Sequence, residues 1–125
     1  SQKTIKYSKA TRVDFVLDGK KTRVNAHRLA GTTKKYIVME YCNDWGTDMA
    51  LKIESEIFVI PGENEFYQID KEELYNQVNT GIQRDRNNFK ITNTGDVLKN
   101  SGLCISIEFD TFKRMNGIKK FNFKK

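Results

Sequence analysis

The sequence predicts an α+β domain in which an antiparallel sheet of six to eight strands is combined with one main helix near residues 70–81. Three local patterns support this fold class. Two turn dipeptides, Asp18-Gly19 and Asn116-Gly117, each lie between runs of β-forming residues and predict β-hairpins. A helix-start signal lies between them along the chain, and the apolar residues that follow it recur with a helical period.

The first hairpin is predicted by alternation on both sides of Asp18-Gly19. Apolar residues occupy every second position over 13–17, and the alternation resumes over 22–26. A type I′ turn needs a positive φ at both central residues, a conformation that Asp and Gly tolerate. We therefore expect an antiparallel strand pair at this turn.

Further strands are predicted where β-branched and aromatic residues cluster. These segments are 36–41, 49–54, 56–60, 66–67, 89–92 and 103–109. Turn residues separate several of them, for example Pro61-Gly62 and the segment 93–96. Strands on both sides of a single helix, without an internal repeat, indicate the α+β architecture.

The helix is predicted from its first turn. Asp70 can cap it, with Glu73 three residues later to complete a capping box, and Ile69 and Leu74 are placed to form a hydrophobic staple. The buried stripe is then expected at Leu74, Val78 and Ile82. Gly81 is expected to end the helix or to fray it.

The second hairpin is predicted around Asn116-Gly117. It would place Met115 opposite Ile118 and Phe112 opposite Phe121. The alternative interpretation of this segment is a short helical turn at 111–116 that ends at Gly117.

Length and composition predict one domain over residues 1–125. No apolar run approaches the roughly 20 residues that cross a bilayer, so no membrane association is expected. The two cysteines, Cys42 and Cys104, have apolar neighbours, which is typical of buried reduced thiols and predicts a cytoplasmic protein.

Charge is sorted along the chain. Residues 1–35 carry ten basic and two acidic residues, residues 36–75 carry two and ten, and residues 76–125 carry ten and four. The net charge of +6 hides this order. Segregated charge of this kind attracts anions to one surface and cations, or a second copy of the protein, to another. We therefore expect a binding role and self-association into a homo-oligomer.

Catalytic motifs are not recognisable. His27 is the only histidine and lies within a predicted strand, where a structural role is the more common one. No nucleophile elbow, phosphate-binding glycine loop or Cys/His metal spacing is present. Asp44 and Asp48 share a loop, but their spacing does not match a calcium-binding loop. We expect no metal or cofactor, and an enzyme of unrecognised type stays an alternative.

The candidate binding residues come from the basic clusters, because guanidinium and ammonium groups hold phosphate oxygens. They are Arg23, Arg28, Arg84, Arg86, Lys113 and Arg114, with Phe89 or Trp45 as candidates to stack on a base. The non-functional interpretation of the lysine-rich C-terminal segment is an edge strand whose lysines protect the sheet against aggregation. Basic residues interleaved with aromatic ones are also what a nucleotide or a nucleic acid requires.

Two functions therefore compete at the level of sequence. The first is non-enzymatic capture of a phosphate-bearing ligand, either a small nucleotide or a nucleic acid. The second is an inhibitor module that docks on an acidic partner, since steering and complementarity suffice for inhibition. The Lys-, Asn- and Ile-rich composition is typical of AT-rich genomes, such as those of low-GC bacteria and their phages. A phage or mobile-element protein acting against a host protein fits either function.

Overall fold

The computed structural model describes residues 13–40, 53–93 and 103–123. Within these segments the chain is a mixed α+β fold with two sheets and two helices. The strands are β1 (Phe15–Leu17), β2 (Lys20–Ala26), β3 (Leu29–Ala30), β4 (Tyr36–Glu40), β5 (Ser55–Val59), β6 (Glu65–Asp70), β7 (Phe89–Asn93), β8 (Leu103–Glu108) and β9 (Lys119–Asn122). The helices are α1 (Lys71–Arg84) and α2 (Phe109–Lys113). Neither of these helices is long and apolar enough to cross a membrane.

The strands form two sheets, so the expected single sheet of six to eight strands is wrong in this respect. One sheet has five strands in the order β1-β2-β5-β6-β9, and the other has four in the order β3-β4-β8-β7. The five-stranded sheet is also not purely antiparallel, because β2 and β5 run parallel, with Arg23 beside Glu56. Local patterns identify strands but not their distant partners, and this parallel pair joins segments about thirty residues apart.

The first predicted hairpin is confirmed. β1 and β2 pair antiparallel with Phe15 opposite Thr22 and Leu17 opposite Lys20. Both turn residues have a positive φ, 51° at Asp18 and 79° at Gly19. These values are what a type I′ turn requires, so the dipeptide sets the register of the pair.

The second predicted hairpin is wrong, and the alternative helical turn is closer to the structure. Residues 109–113 form α2, and β9 pairs with β6 across the sheet instead of with the segment before Asn116. The Glu108 carboxylate accepts hydrogen bonds from the backbone N–H groups of Asp110 (3.0 Å) and Thr111 (2.9 Å), which starts the helix. Phe112, which the predicted hairpin would pair with Phe121, is instead buried in the core from α2.

Helix α1 begins where the sequence predicts, but its cap differs. The Asp70 side chain makes no cap hydrogen bond, because its carboxylate pairs with Lys20 and accepts from Gln68. The capping box is therefore not formed, while Ile69 and Leu74 are both buried, in keeping with the predicted staple. The helix also continues past Gly81 to Arg84, a turn beyond the predicted end.

One hydrophobic core joins the two sheets and both helices. The four-stranded sheet contributes Ile37, Ile105 and Ile107, all fully buried. Phe58 and Tyr67 face them from the five-stranded sheet, and the helices add Leu74, Val78 and Phe112. Because α1 and α2 both pack on this core, their outer residues are held at fixed positions beside the four-stranded sheet.

Candidate functional site

Arg23, a predicted ligand-binding residue, belongs to a buried ion network. Its Nε and Nη2 donate to the two carboxylate oxygens of Glu56 at 2.9 and 3.1 Å. Lys71 Nζ (2.8 Å) and Asn25 Nδ2 (2.9 Å) donate to the same carboxylate, which is only 2% exposed. Burial alone would raise the pKa of Glu56, but the charges and hydrogen bonds of Lys71 and Arg23 outweigh it and lower that pKa. Arg23 therefore has a structural partner.

Three chain segments meet at one end of the four-stranded sheet, where β4 begins and β8 ends. The segments are 33–36, 84–90 and 108–114. The backbone N–H of Phe109 donates to the carbonyl of Lys35 at 2.9 Å, and that of Glu108 donates to the carbonyl of Asn88 at 2.9 Å. These hydrogen bonds fix the three segments relative to one another.

Positive charge predominates in these segments. They contain three carboxylates, those of Asp85, Glu108 and Asp110. They contain seven basic side chains, which we call the basic end: Lys34, Lys35, Arg84, Arg86, Lys90, Lys113 and Arg114. Four of the six basic residues that the sequence suggested as ligands, Arg84, Arg86, Lys113 and Arg114, belong to it.

The carboxylates of these segments are used within the fold. Asp85 accepts from Asn88 Nδ2 at 3.1 Å through both oxygens, and Asp110 pairs with Lys113 at 3.4 Å. Glu108 accepts from Thr111 Oγ1 at 2.7 Å in addition to the two backbone groups at the start of α2. Burial would raise the pKa of Glu108, but these hydrogen bonds outweigh it and lower that pKa, so the group stays ionised.

The arginines of the basic end are left without such partners. Across residues 13–40, 53–93 and 103–123, the guanidinium groups of Arg84, Arg86 and Arg114 form no salt bridge. All three residues are exposed. Within the part of the chain that the structure describes, no carboxylate competes with an anion from solution for these three groups.

A groove of about 320 Å³ lies between the last turns of α1 and the segment after β8. Arg84 and Arg114 both line it, together with the polar side chains of Gln77, Thr80 and Thr111. One acidic residue, Asp85, is also in its wall. Two cations and several hydrogen-bonding groups around one concave surface suit an anionic ligand of modest size.

Phe89, a predicted stacking residue, lines the groove but is only 6% exposed. Its ring lies against Gly81, where an added Cβ would come within 2.4 Å of a ring carbon. The ring therefore forms part of the groove wall and offers little open face to a base. The absence of a side chain at position 81 is what permits this close approach.

Tyr36 is an aromatic residue at the basic end that the sequence did not single out. Two lysines lie over its ring, with Lys90 Nζ 5.2 Å and Lys34 Nζ 6.0 Å from the ring centroid. Tyr36 and Lys90 are on β4 and β7, which both flank β8. The run Lys34-Lys35-Tyr36, with two lysines next to an aromatic residue, was a signal in the sequence for part of this cluster. Lys90 is brought to Tyr36 only by the strand order.

The remaining predicted residues are not brought to the groove. Arg28 is exposed between β2 and β3 and does not line it. Trp45 lies outside the described residues, as do Cys42, Asp44 and Asp48. Of the other N-terminal cations, Lys20 pairs with Asp70 and lies on the five-stranded sheet.

His27 is held in the fold as a structural residue. Its Nδ1 contacts the Val38 carbonyl at 3.2 Å, and its ring lies 4.9 Å from that of Phe58. Its buried Nε2 has no hydrogen-bond partner. Burial is the main cause of a lowered pKa at His27. Within the described part of the chain, no three His, Cys, Asp or Glu residues are grouped as metal ligands would be.

Comparisons with protein-family models, curated proteins and solved structures gave no match for this chain.

Proposed function

We propose that the protein is a non-enzymatic binding protein that captures a phosphate-bearing ligand, a nucleotide or a nucleic acid, at its basic end. The observation that carries the proposal is the pair Arg84 and Arg114 at one groove, both exposed and neither in a salt bridge among the described residues. Self-association and docking on a host protein stay predictions.

The arginine side chains of the groove suit a phosphate group. Its planar guanidinium donates two parallel hydrogen bonds to neighbouring phosphate oxygens, and these charge-assisted bonds are about twice as strong as neutral ones. The groove volume of about 320 Å³ lies at the lower end of small-ligand sites. One phosphate group with part of its sugar therefore matches the space between the two arginines.

Calorimetric titration at low salt tests the proposal, with inorganic phosphate, a nucleoside triphosphate and a short oligonucleotide as probes. We expect binding of at least the nucleotide probe, and Arg84→Gln or Arg114→Gln should weaken it by about tenfold, since a hydrogen bond to a charged group contributes roughly 1.5–3 kcal/mol. Arg28→Gln is the matched control, because it removes the same charge from an exposed site outside the groove.

Two results would overturn the proposal. One is the absence of measurable binding for every probe at low salt. The other is binding that Arg84→Gln and Arg114→Gln weaken no more than Arg28→Gln does.

A further inference from the structure

We propose, on the basis of the function proposed above, that the ligand is single-stranded nucleic acid and that Tyr36 stacks on one of its bases. The basic end extends beyond the groove. Lys34, Arg86 and Lys90 do not line the groove, and a mononucleotide held there would leave them unused. A chain of phosphates would use both regions.

The three fixed segments define a path for such a chain. It begins at Arg84 and Arg114 in the groove, passes Arg86 in the turn before β7, and reaches Lys90 on that strand. Lys90 and Lys34 then flank the Tyr36 ring. Cations therefore follow one another across the surface, with an aromatic ring at the far end. This combination of a charged track and a stacking ring suits a flexible single strand.

Tyr36 is a rigid platform. Its backbone is held on both sides, by Ala30 of β3 and by Glu108 of β8. Its side chain is partly exposed, in contrast to that of Ile37, which faces the core. The sheet therefore fixes the backbone that carries the ring before a ligand arrives, which reduces the ordering cost of binding.

The lysines over the ring do not prevent stacking. An exposed cation–π contact is weaker than the stacking of a base on an aromatic side chain. A base can therefore replace one ammonium group above the ring, and the displaced lysine becomes available to a neighbouring phosphate.

A single strand fits this surface better than a duplex. The bases of a duplex are stacked on one another and cannot reach an aromatic ring without being flipped out. Major-groove recognition requires a protruding helix or a two-stranded ribbon. Two helices contribute to the described part of the basic end. Helix α2 has five residues and buries Phe109 and Phe112 in the core, and α1, which ends at Arg84, packs on the same core through Leu74 and Val78. Neither helix protrudes to enter a groove.

The test measures fluorescence anisotropy of end-labelled oligothymidylates, from a mononucleotide up to about 12 nucleotides, with a duplex of equal length for comparison. We expect affinity to rise with length and to exceed that for the duplex. Tyr36→Leu should weaken binding of the longer oligomer about tenfold and leave the mononucleotide unaffected, whereas Tyr36→Phe should retain full affinity.

A second variant guards against a folding effect of Tyr36→Leu. The double variant Lys34→Gln/Lys90→Gln changes two exposed residues. It should weaken binding of the long oligomer and leave binding of the mononucleotide unchanged.

Three results overturn this inference while leaving the proposed function intact. They are affinity independent of length, a duplex bound as tightly as the single strand, and a long-oligomer affinity that neither the Tyr36→Leu nor the double lysine variant reduces. Loss of binding for every probe, the mononucleotide included, overturns the proposed function as well.

Discussion

The Phe89 ring lies directly against Gly81, and three of its carbons are within 2.5 Å of the position that a Cβ at residue 81 would occupy. This contact joins α1 to β7 and forms part of the wall of the groove between Arg84 and Arg114. It also explains why a glycine stands at position 81 inside the helix, which ends at Arg84.

Gly81→Ala should therefore destabilise the protein, although alanine is the better helix former. The helix gains about 0.8–1 kcal/mol from alanine. Displacing a buried ring costs typically 1–3 kcal/mol, and here the overlap is with three ring carbons of a residue in the core. We expect a net loss of about 1 kcal/mol in the free energy of unfolding, measured by urea denaturation.

A smaller residue at position 89 provides the control for this prediction. In a Phe89→Leu background the added methyl group has room, so Gly81→Ala should cost less there than in the native background. An alanine that stabilises the native protein would show that the contact is looser than described.

Glu56→Gln should be strongly destabilising. It removes the charge that neutralises Arg23 and Lys71, while Lys71 remains 7% exposed. Breaking one side of a buried ion network costs about 3–5 kcal/mol. Thermal unfolding should show a large fall in midpoint. Glu72→Gln changes an exposed carboxylate on α1 and should leave the midpoint nearly unchanged. Equal effects of the two variants would contradict the structural role of the network.

The sequence predicted those features that depend on neighbouring residues. The Asp18-Gly19 turn formed because the φ preferences of two adjacent residues decide it. The start of α1 was also local, since the buried stripe begins at Leu74. The hairpin predicted at Asn116-Gly117 does not form, because a second local signal favours a helical turn. The Glu108 carboxylate starts a helical turn, and Phe112 on that turn is buried in the core.

The candidate site was predictable only in part, because strand pairing decides which cations meet. The sequence placed Arg84 and Arg114 in basic clusters, and the fold brings both to one groove. Arg23 was predicted to bind the ligand but pairs with Glu56, and the sequence alone does not indicate the parallel register of β2 and β5 that brings these two residues together. Tyr36 was missed because Lys90 reaches it across β8, from a segment more than fifty residues later.

Stability should fall as the pH decreases below about 7, because of His27. Burial lowers its pKa below the ordinary 6.5, so the unfolded chain binds a proton that the folded one excludes. The stabilisation is complete above about 6.5 and is lost as the pH falls through that value toward 5. Unfolding midpoints measured between pH 7 and 5 should decrease, and His27→Gln should flatten the decrease.

Glu56 acts in a separate and more acidic window. Its pKa is lowered from 4.5, so its contribution is complete above that value and is lost as the pH falls below it. A decrease between pH 7 and 5 that His27→Gln leaves unchanged would assign the effect to another group.

Salt should weaken ligand binding, and the steepness of this effect should report how many phosphate groups the basic end neutralises. The logarithm of affinity for a single strand falls with the logarithm of salt concentration, with a slope of about −0.7 for each phosphate neutralised. Arg86→Gln should remove about one phosphate contact and so reduce the magnitude of that slope by about 0.7. Lys119→Gln changes an exposed lysine on β9 of the five-stranded sheet and should not alter it. An equal change for both would indicate non-specific attraction to the whole surface.

The central claim is that the basic end receives the phosphate group. The most direct measurement follows the NMR signals of the isotope-labelled protein as a nucleotide is added at low salt. The claim predicts that the backbone amides of Arg84, Thr111 and Arg114, and the side-chain N–H signals of the two arginines, shift first and saturate together. Shifts confined to Arg28 or to Lys119, with the groove signals unchanged, would contradict it.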